Sequence, residues 1–529
     1  NLLFCFIIIK NQTIMKRILL YSLVLVFGNN LVAQTQMGAT MNATSSADLF
    51  GGFVSMSSNG NRFVVGCSDN TVSSTTKGYA KVLEYNGTVW NALGADILEE
   101  TNGDNGGTVA MSGDGTRIIV GAYLNDGNGT DSGHARVYQW NGSAWTQLGA
   151  DINGEAAGDN SGVSVSISFN GSVIAIGAHN NDGNGTNSGH VRVFTWNGSA
   201  WIQRGVDLNG EAASDNFGVS LSLSQDGTKL AVGARYNDAG GSNAGHVRVF
   251  NWNGSSWVQM GSDIDGFQVD MAFGSAVSIS NTGTRVAIGT PLYNGTIGDQ
   301  GIARVYNYNG SAWSQVGQDI IGWNGTSGTN LGKSISISGD GNAIVVGSSG
   351  YSGGGSTFRG LAEYYKLVTN VWTQQGTDVL GNTNGDRFGF SVSLSNDGNK
   401  IAVGAPYNAS RGYAEEETPE GSVGYTITVK GLQGGHSGMD IHKGLGNANK
   451  IMNRLLFDGF ENFGLQIAEI SGGSLRNAIP RESVAKVIIA EMYDEAFVFD
   501  MQEVIGDIKT EFKTMEPNLT IEIVKNDTV

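Results

Sequence analysis

The sequence predicts a mainly β protein, with a seven-bladed β-propeller whose last blade is incomplete and a small α+β ferredoxin-like domain after it. One observation is a tryptophan that recurs about every 56 residues. Another is a glycine in a V-G-A-like strand, which recurs in step with the tryptophan. Beyond residue 414 glycine becomes sparse and helical periodicity appears for the first time. The recurring residues are Trp90, Trp145, Trp201, Trp257, Trp313 and Trp372, and Gly66, Gly121, Gly177, Gly233, Gly289, Gly347 and Gly404.

A single repeat, from Asp215 to Ile264, contains four strand patterns separated by turn residues. The first and second patterns are joined by a short Asp-Gly turn, and the third and fourth by an Asn-Gly turn. A long loop rich in Asn, Asp and Gly separates the second pattern from the third. Four short strands restated at this period are typical of a propeller blade. The patterns cover Val219 to Ser224, Lys229 to Ala234, His246 to Trp252, and Trp257 to Ile264.

The two ends of the repeat region predict how the ring closes. Thr35 to Met41, TQMGATM, matches the fourth-strand pattern TQLGADI at Thr146 to Ile152. We therefore expect this segment to complete the last blade, because closure removes an exposed sheet edge. The last blade begins normally, but its third strand should follow Arg411, where the chain instead enters an acidic run at 415–417. That blade is expected to lack a third strand of its own.

The N-terminal 33 residues predict export. Residues 1–14 precede a plausible start methionine, and Met15-Lys16-Arg17 is followed by an apolar stretch from Ile18 to Phe27 that is too short to span a bilayer. Leu31-Val32-Ala33 suits signal-peptide cleavage before the propeller domain at 34–412. The expected location is secreted or at the cell surface, with no membrane insertion after cleavage.

The net charge limits the expected partners, and the cysteine content limits the expected disulfides. A net charge of -17 disfavours nucleic acid and anionic membranes. Divalent cations and neutral polar ligands remain compatible with it. The two cysteines, Cys5 and Cys67, do not form a disulfide framework, because Cys5 lies in the leader region.

The long connections of the blades should lie together on one face, which is the candidate binding surface for an unidentified polar ligand. Asp126, Asn128 and Asp131 space oxygen ligands in a way that suits calcium. Their alternative role is to form turns and cap their own backbone. Aspartates that recur before the first strand fit a structural role, as do three histidines at one equivalent position, which we interpret as packing residues. These are Asp48, Asp104, Asp159, Asp215 and Asp386, and His134, His190 and His246.

The repeats resemble the FG-GAP-like propeller repeats of exported surface proteins, especially those of the Bacteroidota. The resemblance is carried by the motifs around Phe217, Asp226 and Trp252. It implies a propeller fold and leaves the ligand open. Calcium-binding members hold the metal between strands one and two, where this chain has a short Asp-Gly turn.

Residues 413–529 show the order βαββαβ of a ferredoxin-like unit. Strands are predicted at Val423 to Lys430, Leu465 to Ile470, Ser483 to Ala490 and Leu519 to Val524. Helices are predicted at Asn447 to Phe457 and Asp494 to Phe512.

The same segment resembles the lid and dimerisation domain of the aminoacyl-histidine dipeptidase (peptidase D) family of di-zinc metallopeptidases. The motifs are VKGLQGGHSG from Val429 and LRNAIPRE from Leu475. The resemblance implies that His436 stabilises a tetrahedral intermediate across a dimer. It also implies that Asn477 and Arg481 lie near the carboxylate of the substrate. Zinc is expected for an intact member of the family, but the zinc-binding motifs of its catalytic domain have no counterpart in this sequence.

Two functions follow from the sequence. The first is a non-catalytic, exported propeller for binding or adhesion, joined to a dipeptidase lid fragment in a chimeric chain. The alternative is a di-zinc dipeptidase of the Xaa-His or cytosolic non-specific type, or dimerisation through residues 413–529. No cofactor is required by the first function, and zinc is required by the second.

Overall fold

The computed structural model describes residues 36–37, 48–69, 77–101, 103–104, 106–323, 325, 328–353, 358–407, 422–433, 435–436, 446–463, 465–472 and 478–526. The chain divides into two compact units, residues 1–412 and 413–529. In the described parts of both units, no helix is long and apolar enough to cross a membrane.

The first unit consists of repeated antiparallel sheets, one per blade, in which inner, second, third and outer strands follow one another. The inner strands are Asp48–Met56, Gly106–Met111, Ser164–Ile167, Phe217–Leu223, Ala276–Ile279, Leu331–Ile337 and Ser391–Leu394. The second strands are Arg62–Asp69, Arg117–Ala122, Val173–Ala178, Lys229–Ala234, Arg285–Thr290, Ala343–Ser348 and Ile401–Gly404. The third strands are Tyr79–Tyr85, His134–Trp140, His190–Trp196, His246–Trp252, Ile302–Tyr308 and Leu361–Val368. We number the blades 1 to 7 in this order.

The outer strand of each of blades 1 to 6 is interrupted, and both of its pieces pair with the third strand. The first pieces begin at or beside the recurring tryptophan: Trp90–Ala92, Trp145–Gln147, Trp201–Gln203, Trp257–Gln259, Trp313–Gln315 and Val371–Gln374. The second pieces are Ile97–Leu98, Ile152–Asn153, Leu208–Asn209, Ile264–Asp265, Ile320–Ile321 and Val379–Leu380. The predicted blade is confirmed, with this interruption added.

The recurring glycine allows neighbouring blades to touch near the inner strands. A Cβ atom at Gly233 would lie 2.0 Å from the carbonyl oxygen of Gly274 in the next blade. A side chain there would overlap backbone, which cannot move away as a flexible side chain can. The same approach joins Gly404 of blade 7 to Gly51 of blade 1 at 2.0 Å, so the ring is closed. The other pairs are Gly66 with Gly107, Gly121 with Gly162, Gly177 with Gly218, Gly289 with Gly332, and Gly347 with Gly389.

Hydrogen bonds also join the last blade to the first. The hydroxyl of Ser391 donates to the carbonyl of Gly51 at 2.7 Å, and the amide of Asn396 donates to the carbonyl of Ser58 at 2.9 Å. Among the described residues blade 7 has two strands. The place predicted to lack a third strand, after Arg411, lies outside the described residues.

The tryptophans connect neighbouring blades, as the sequence predicted. The indole N–H of Trp201 donates to the carbonyl of Leu148 in the preceding outer strand at 2.8 Å, and Trp145 donates to Leu93 at 2.7 Å. Trp90 of blade 1 donates in the same way to the carbonyl of Met37 at 2.6 Å. Met37 therefore occupies the position of a preceding outer strand, while Thr35 and residues 38–41 lie outside the described residues.

The second unit has a four-stranded antiparallel sheet with two helices. Its elements are Ser422–Lys430, Gly435–His436, helix α1 at Ala448–Phe463, Gln466–Gly472, Ala478–Ile479, Ser483–Ala490, a 3-10 turn at Glu491–Tyr493, helix α2 at Asp494–Phe512, and Thr520–Lys525. In the sheet, Ser483–Ala490 lies between Gln466–Gly472 and Ser422–Lys430, and Thr520–Lys525 pairs on the other side of Ser422–Lys430. This strand order confirms the predicted ferredoxin-like arrangement. Both helices contribute to one core with the sheet, through residues such as Leu455 and Phe497.

Candidate functional site

The long connections of neighbouring blades lie side by side on one face of the ring, as predicted. In blade 2, the amide of Gly154 donates to the carbonyl of Gly133 at 2.7 Å, and the amide of Ser161 donates to that of Ser132 at 3.0 Å. The side-chain amide of Asn128 donates to the carbonyls of Gly154 and Glu155 at 2.8 and 3.0 Å. We call this surface the long-loop face.

The calcium candidates Asp126, Asn128 and Asp131 take part in these loop contacts. A carboxylate oxygen of Asp126 accepts the amide of Asp131 at 2.8 Å, and Asp131 has a left-handed φ of 54°. The next blade keeps this geometry with Asn187 in place of Asp131, whose amide donates to Asp182 at 2.8 Å. These contacts stabilise the loop without a metal, and calcium binding by the three residues stays a prediction.

The recurring aspartates before the inner strands have the structural role that the sequence suggested. Asp159 is 3 % exposed, and its carboxylate accepts the amide of Ala156 at 2.9 Å and the side-chain amide of Asn181 at 3.1 Å. Asp215 accepts the equivalent bonds from Ala212 and Asn237. Asp159 and Asp215 therefore link the entering connection to the loop after the second strand.

A group of cations lies where the long-loop face meets the central channel. Arg235 follows the second strand of blade 4, Lys333 lies near the start of the inner strand of blade 6, and Arg387 directly precedes blade 7. Inner strands begin, and second strands end, at the long-loop face. These three side chains therefore come from different blades to the same end of the channel. We call them the channel cations.

The channel cations are close enough to influence one another. The Lys333 side chain is accessible to solvent in the channel, yet the surrounding protein restricts its hydration. That desolvation, with the positive charges of Arg235 and Arg387, lowers the pKa of Lys333. Burial and Arg235 likewise lower the pKa of His179 to about 4. Within the described part of the chain, none of the channel cations forms an ion pair, and Nε of Arg235 has no hydrogen-bond partner.

Aromatic rings lie against the same cations. The guanidinium of Arg235 is 4.7 Å from the ring centre of Tyr236, and that of Arg387 is 4.6 Å from the ring of Tyr407. The ammonium group of Lys333 lies 5.0 Å from the ring of Phe390. These contacts hold the long side chains in place without neutralising their charge. Sequence analysis missed the group because its members occupy different positions of the repeat.

The three equivalent histidines are buried, but each lies beside two carboxylates that the sequence analysis had not connected with it. The groups are Glu100, His134 and Asp151; Glu155, His190 and Asp207; and Glu211, His246 and Asp263. In each group the possible ligand atoms lie within 4.8 Å of one another. Burial, followed by the charge of Arg248, lowers the pKa of His246 to about 4, so its imidazole is neutral at neutral pH.

The dipeptidase-like residues fall only partly within the described chain. The backbone of His436 pairs with Ala478, and Gly435 pairs with Ile479, in a short two-stranded ladder. This ladder places the motif that contains His436 beside the motif that begins at Leu475. Arg481 lies exposed in the turn after it, whereas Asn477 lies outside the described residues. The roles of His436, Asn477 and Arg481 stay predictions.

Comparison with known families agrees with the two halves of the chain. The FG-GAP repeat model matches residues 101–138, 153–194 and 209–250. The peptidase dimerisation domain model matches residues 420–519. The chain thus has a chimeric layout, with FG-GAP repeats in the first unit and a peptidase dimerisation domain in the second. Both resemblances suggested by the sequence are confirmed.

Individual relatives cover parts of the chain. The cytosol non-specific dipeptidase of Escherichia coli (strain K12) is 36% identical over 161 residues, which are 30% of this chain and 31% of the relative. The chain therefore spans less than a third of that enzyme. The aminoacylhistidine dipeptidase of Vibrio alginolyticus is 37% identical over 21% of this chain and 23% of its own, with a TM-score of 0.20. A candidate 6-phosphogluconolactonase from Bacteroides uniformis covers 68% of this chain and 91% of its own at 11% identity, with a TM-score of 0.45.

Proposed function

We propose that this combination of FG-GAP repeats and a peptidase dimerisation domain is an exported, non-catalytic binding protein that holds an anionic polar ligand at the mouth of the propeller channel. The observation that carries the proposal is the convergence of Arg235, Lys333 and Arg387 from three blades. Although the chain has a net charge of -17, these three cations lack carboxylate partners among the described residues. Bringing like charges close together costs free energy unless a bound anion compensates them. The rings beside them suit a ligand with apolar faces as well, such as an acidic sugar.

Binding can be measured by calorimetry with three probes of similar size: a short polyuronate, a sulfated oligosaccharide and a neutral oligosaccharide. We expect the anionic probes to bind and the neutral one to bind at least tenfold more weakly. Replacement of Arg235, Lys333 and Arg387 by Gln should remove that preference.

A matched control replaces Lys229, Arg285 and Lys400 by Gln. Lys229 and Arg285 begin second strands and Lys400 directly precedes one, so all three lie at the opposite face. The control removes the same number of positive charges. Equal losses in both triple variants would show a general charge effect and contradict the proposed site. Failure of every anionic probe to bind would also contradict it.

The absence of catalysis is part of the proposal and has its own test. The purified full chain should not hydrolyse Xaa-His dipeptides, with or without added zinc. Turnover that His436→Ala abolishes would instead support the dipeptidase alternative.

We also propose that residues 413–529 form a dimer contact. The peptidase dimerisation match supports this, as do Phe457 and Phe499, whose side chains are 63% and 76% exposed on the two helices. Light scattering of the full chain should give twice the monomer mass. A monomer at all concentrations would refute the contact.

Export is proposed from the N-terminal pattern. Fractionation of cells that express the full chain should place it outside the cytoplasm, and loss of residues 15–33 should retain it inside.

A further inference from the structure

We propose that Glu211, His246 and Asp263 of blade 4 form a binding site for a divalent transition-metal ion of the zinc type, apart from the anion site at the channel. Nδ1 of His246 lies 3.7 Å from a carboxylate oxygen of Asp263 and 3.9 Å from one of Glu211. Ligand atoms around tetrahedral zinc are roughly 3.4 Å apart, since each bond is about 2.0–2.2 Å. Nδ1 of His246 is therefore within about 0.5 Å of that spacing from each carboxylate, and all three donors lie within 4.8 Å of one another.

The buried, unpaired imidazole of His246 is the observation that indicates a ligand. Its side chain is 0% exposed, and neither imidazole nitrogen has a hydrogen-bond partner. A buried, unpaired polar group is costly, and native proteins rarely leave one without a partner. A cation between Nδ1 and the two carboxylates would satisfy one of these nitrogens.

The carboxylates are oriented by contacts to their other oxygens. Oε1 of Glu211 lies 3.5 Å from Nη1 of Arg248, while its Oε2 faces His246. Oδ1 of Asp263 accepts the side-chain amide of Gln259 at 2.5 Å, while its Oδ2 faces His246. Outer contacts of this kind hold metal ligands in position. The Glu211 side chain is 45% exposed, which gives an ion a route from solvent.

Substitutions within the repeat link the glutamate to the histidine. Blades 2 and 3 keep both, whereas in blade 5 Phe267 and Ile302 stand at the two positions. Blade 5 nevertheless keeps the adjacent pair, with Nη2 of Arg304 2.8 Å from Asp319. There the ring centre of Phe267, at the glutamate position, lies 3.7 Å from the guanidinium of Arg304. The glutamate and the histidine are thus absent together, while the arginine and the aspartate remain.

Blade 4 suits a cation better than blade 2 does. In blade 2 the guanidinium of Arg136 contacts both Glu100 and Asp151, and so already occupies the space between the carboxylates. In blade 4, Nη2 of Arg248 instead donates to the carbonyl of Asn209 at 2.6 Å. The guanidinium also lies 4.3 Å from the ring centre of Phe217. Two carboxylates and an imidazole favour zinc-type ions over calcium, which prefers six or more oxygens.

The test uses the full chain, stripped with a chelator and titrated with Zn²⁺ by calorimetry and with Co²⁺ by visible absorption. Glu211→Gln changes an exposed side chain and is expected to fold. It should lose one equivalent of bound metal, or bind that equivalent at least tenfold more weakly, and lose part of the Co²⁺ spectrum. His246→Gln should have the same effect if it folds.

The control is Glu84→Gln on blade 1, whose side chain is 42% exposed and pairs with Arg62, and it should leave zinc stoichiometry unchanged. Zinc bound at His436 would be insensitive to Glu211→Gln. Equal stoichiometry and affinity in the wild type and Glu211→Gln would therefore overturn the site, as would a stripped chain that takes up no zinc. The anion site can fail its own test without affecting this result.

Discussion

Replacing Glu363 by Gln is expected to remove a pH-dependent loss of stability from blade 6. Glu363 stands on the third strand where other blades carry an arginine, such as Arg304, while Asp378 keeps the position of the partner carboxylate Asp319. Burial and then the negative charge of Asp378 raise the pKa of Glu363 from 4.5 to about 7. The hydroxyl of Tyr365, 3.1 Å away, opposes that rise.

The sign of the effect follows from proton binding in the two states. Below pH 4.5 the carboxyl group is protonated in both the folded and the unfolded chain. Between 4.5 and about 7 the unfolded chain releases the proton while the folded chain retains it, so stability falls as pH rises. At about 1.4 kcal/mol per unit of pKa difference, the total loss is on the order of 3 kcal/mol.

Urea denaturation followed by circular dichroism measures the free energy of unfolding at about pH 5 and about pH 8. The free energy of unfolding should decrease from the lower to the higher pH. This decrease should be smaller in Glu363→Gln than in the wild type by on the order of 3 kcal/mol. The matched control is Glu84→Gln, on the third strand of blade 1, where the carboxylate pairs with Arg62 and is 42% exposed. Glu84→Gln should keep the wild-type decrease. The reasoning is refuted if Glu363→Gln also keeps it.

Three further predictions concern the ring. Trp372 is 3% exposed and donates to the carbonyl of Val316 at 2.9 Å, so Trp372→Ala should cost about 3–5 kcal/mol in urea denaturation. Trp323→Ala, at a 43% exposed ring, should cost far less, and equal costs would contradict the packing argument. Gly233→Ala should lower the thermal midpoint sharply, because its Cβ would meet backbone 2.0 Å away, whereas Gly298→Ala should change it little. Removal of residues 415–529 should leave the propeller's melting transition unchanged, and a large shift would show that the second unit supports it.

Much of the architecture follows from local patterns. The Asp-Gly and Asn-Gly turns and the alternating strands predicted each blade, because turn chemistry and side-chain alternation act over a few residues. Helix α2 was predicted with the same ends, Asp494 and Phe512, that the structure has. The prediction for helix α1 ended at Phe457, six residues short, because the poor helix former Gly459 follows the apolar stretch, yet the helix continues through it.

Features that join residues far apart in the chain were not predictable in the same way. The Glu–His–Asp groups were missed because Glu211 precedes His246 by 35 residues and Asp263 follows it by 17. The structure also corrected the outer strand, which consists of two short pieces that both pair with the third strand.

The sequence by itself determined the repeat, the number of blades and the presence of a second segment of peptidase type, because each depends on short-range pattern and composition. Only the tertiary structure decided which polar residues meet. The recurring glycine is visible as a period in the sequence, but its reason, the backbone of Gly51 against Gly404 and of Gly274 against Gly233, appears once the ring has closed. The channel cations likewise depend on the curvature of the ring, since they come from separate blades. The proposed metal ligands depend instead on how the strands and the entering connection of one blade pair, as His246 pairs with Asp265.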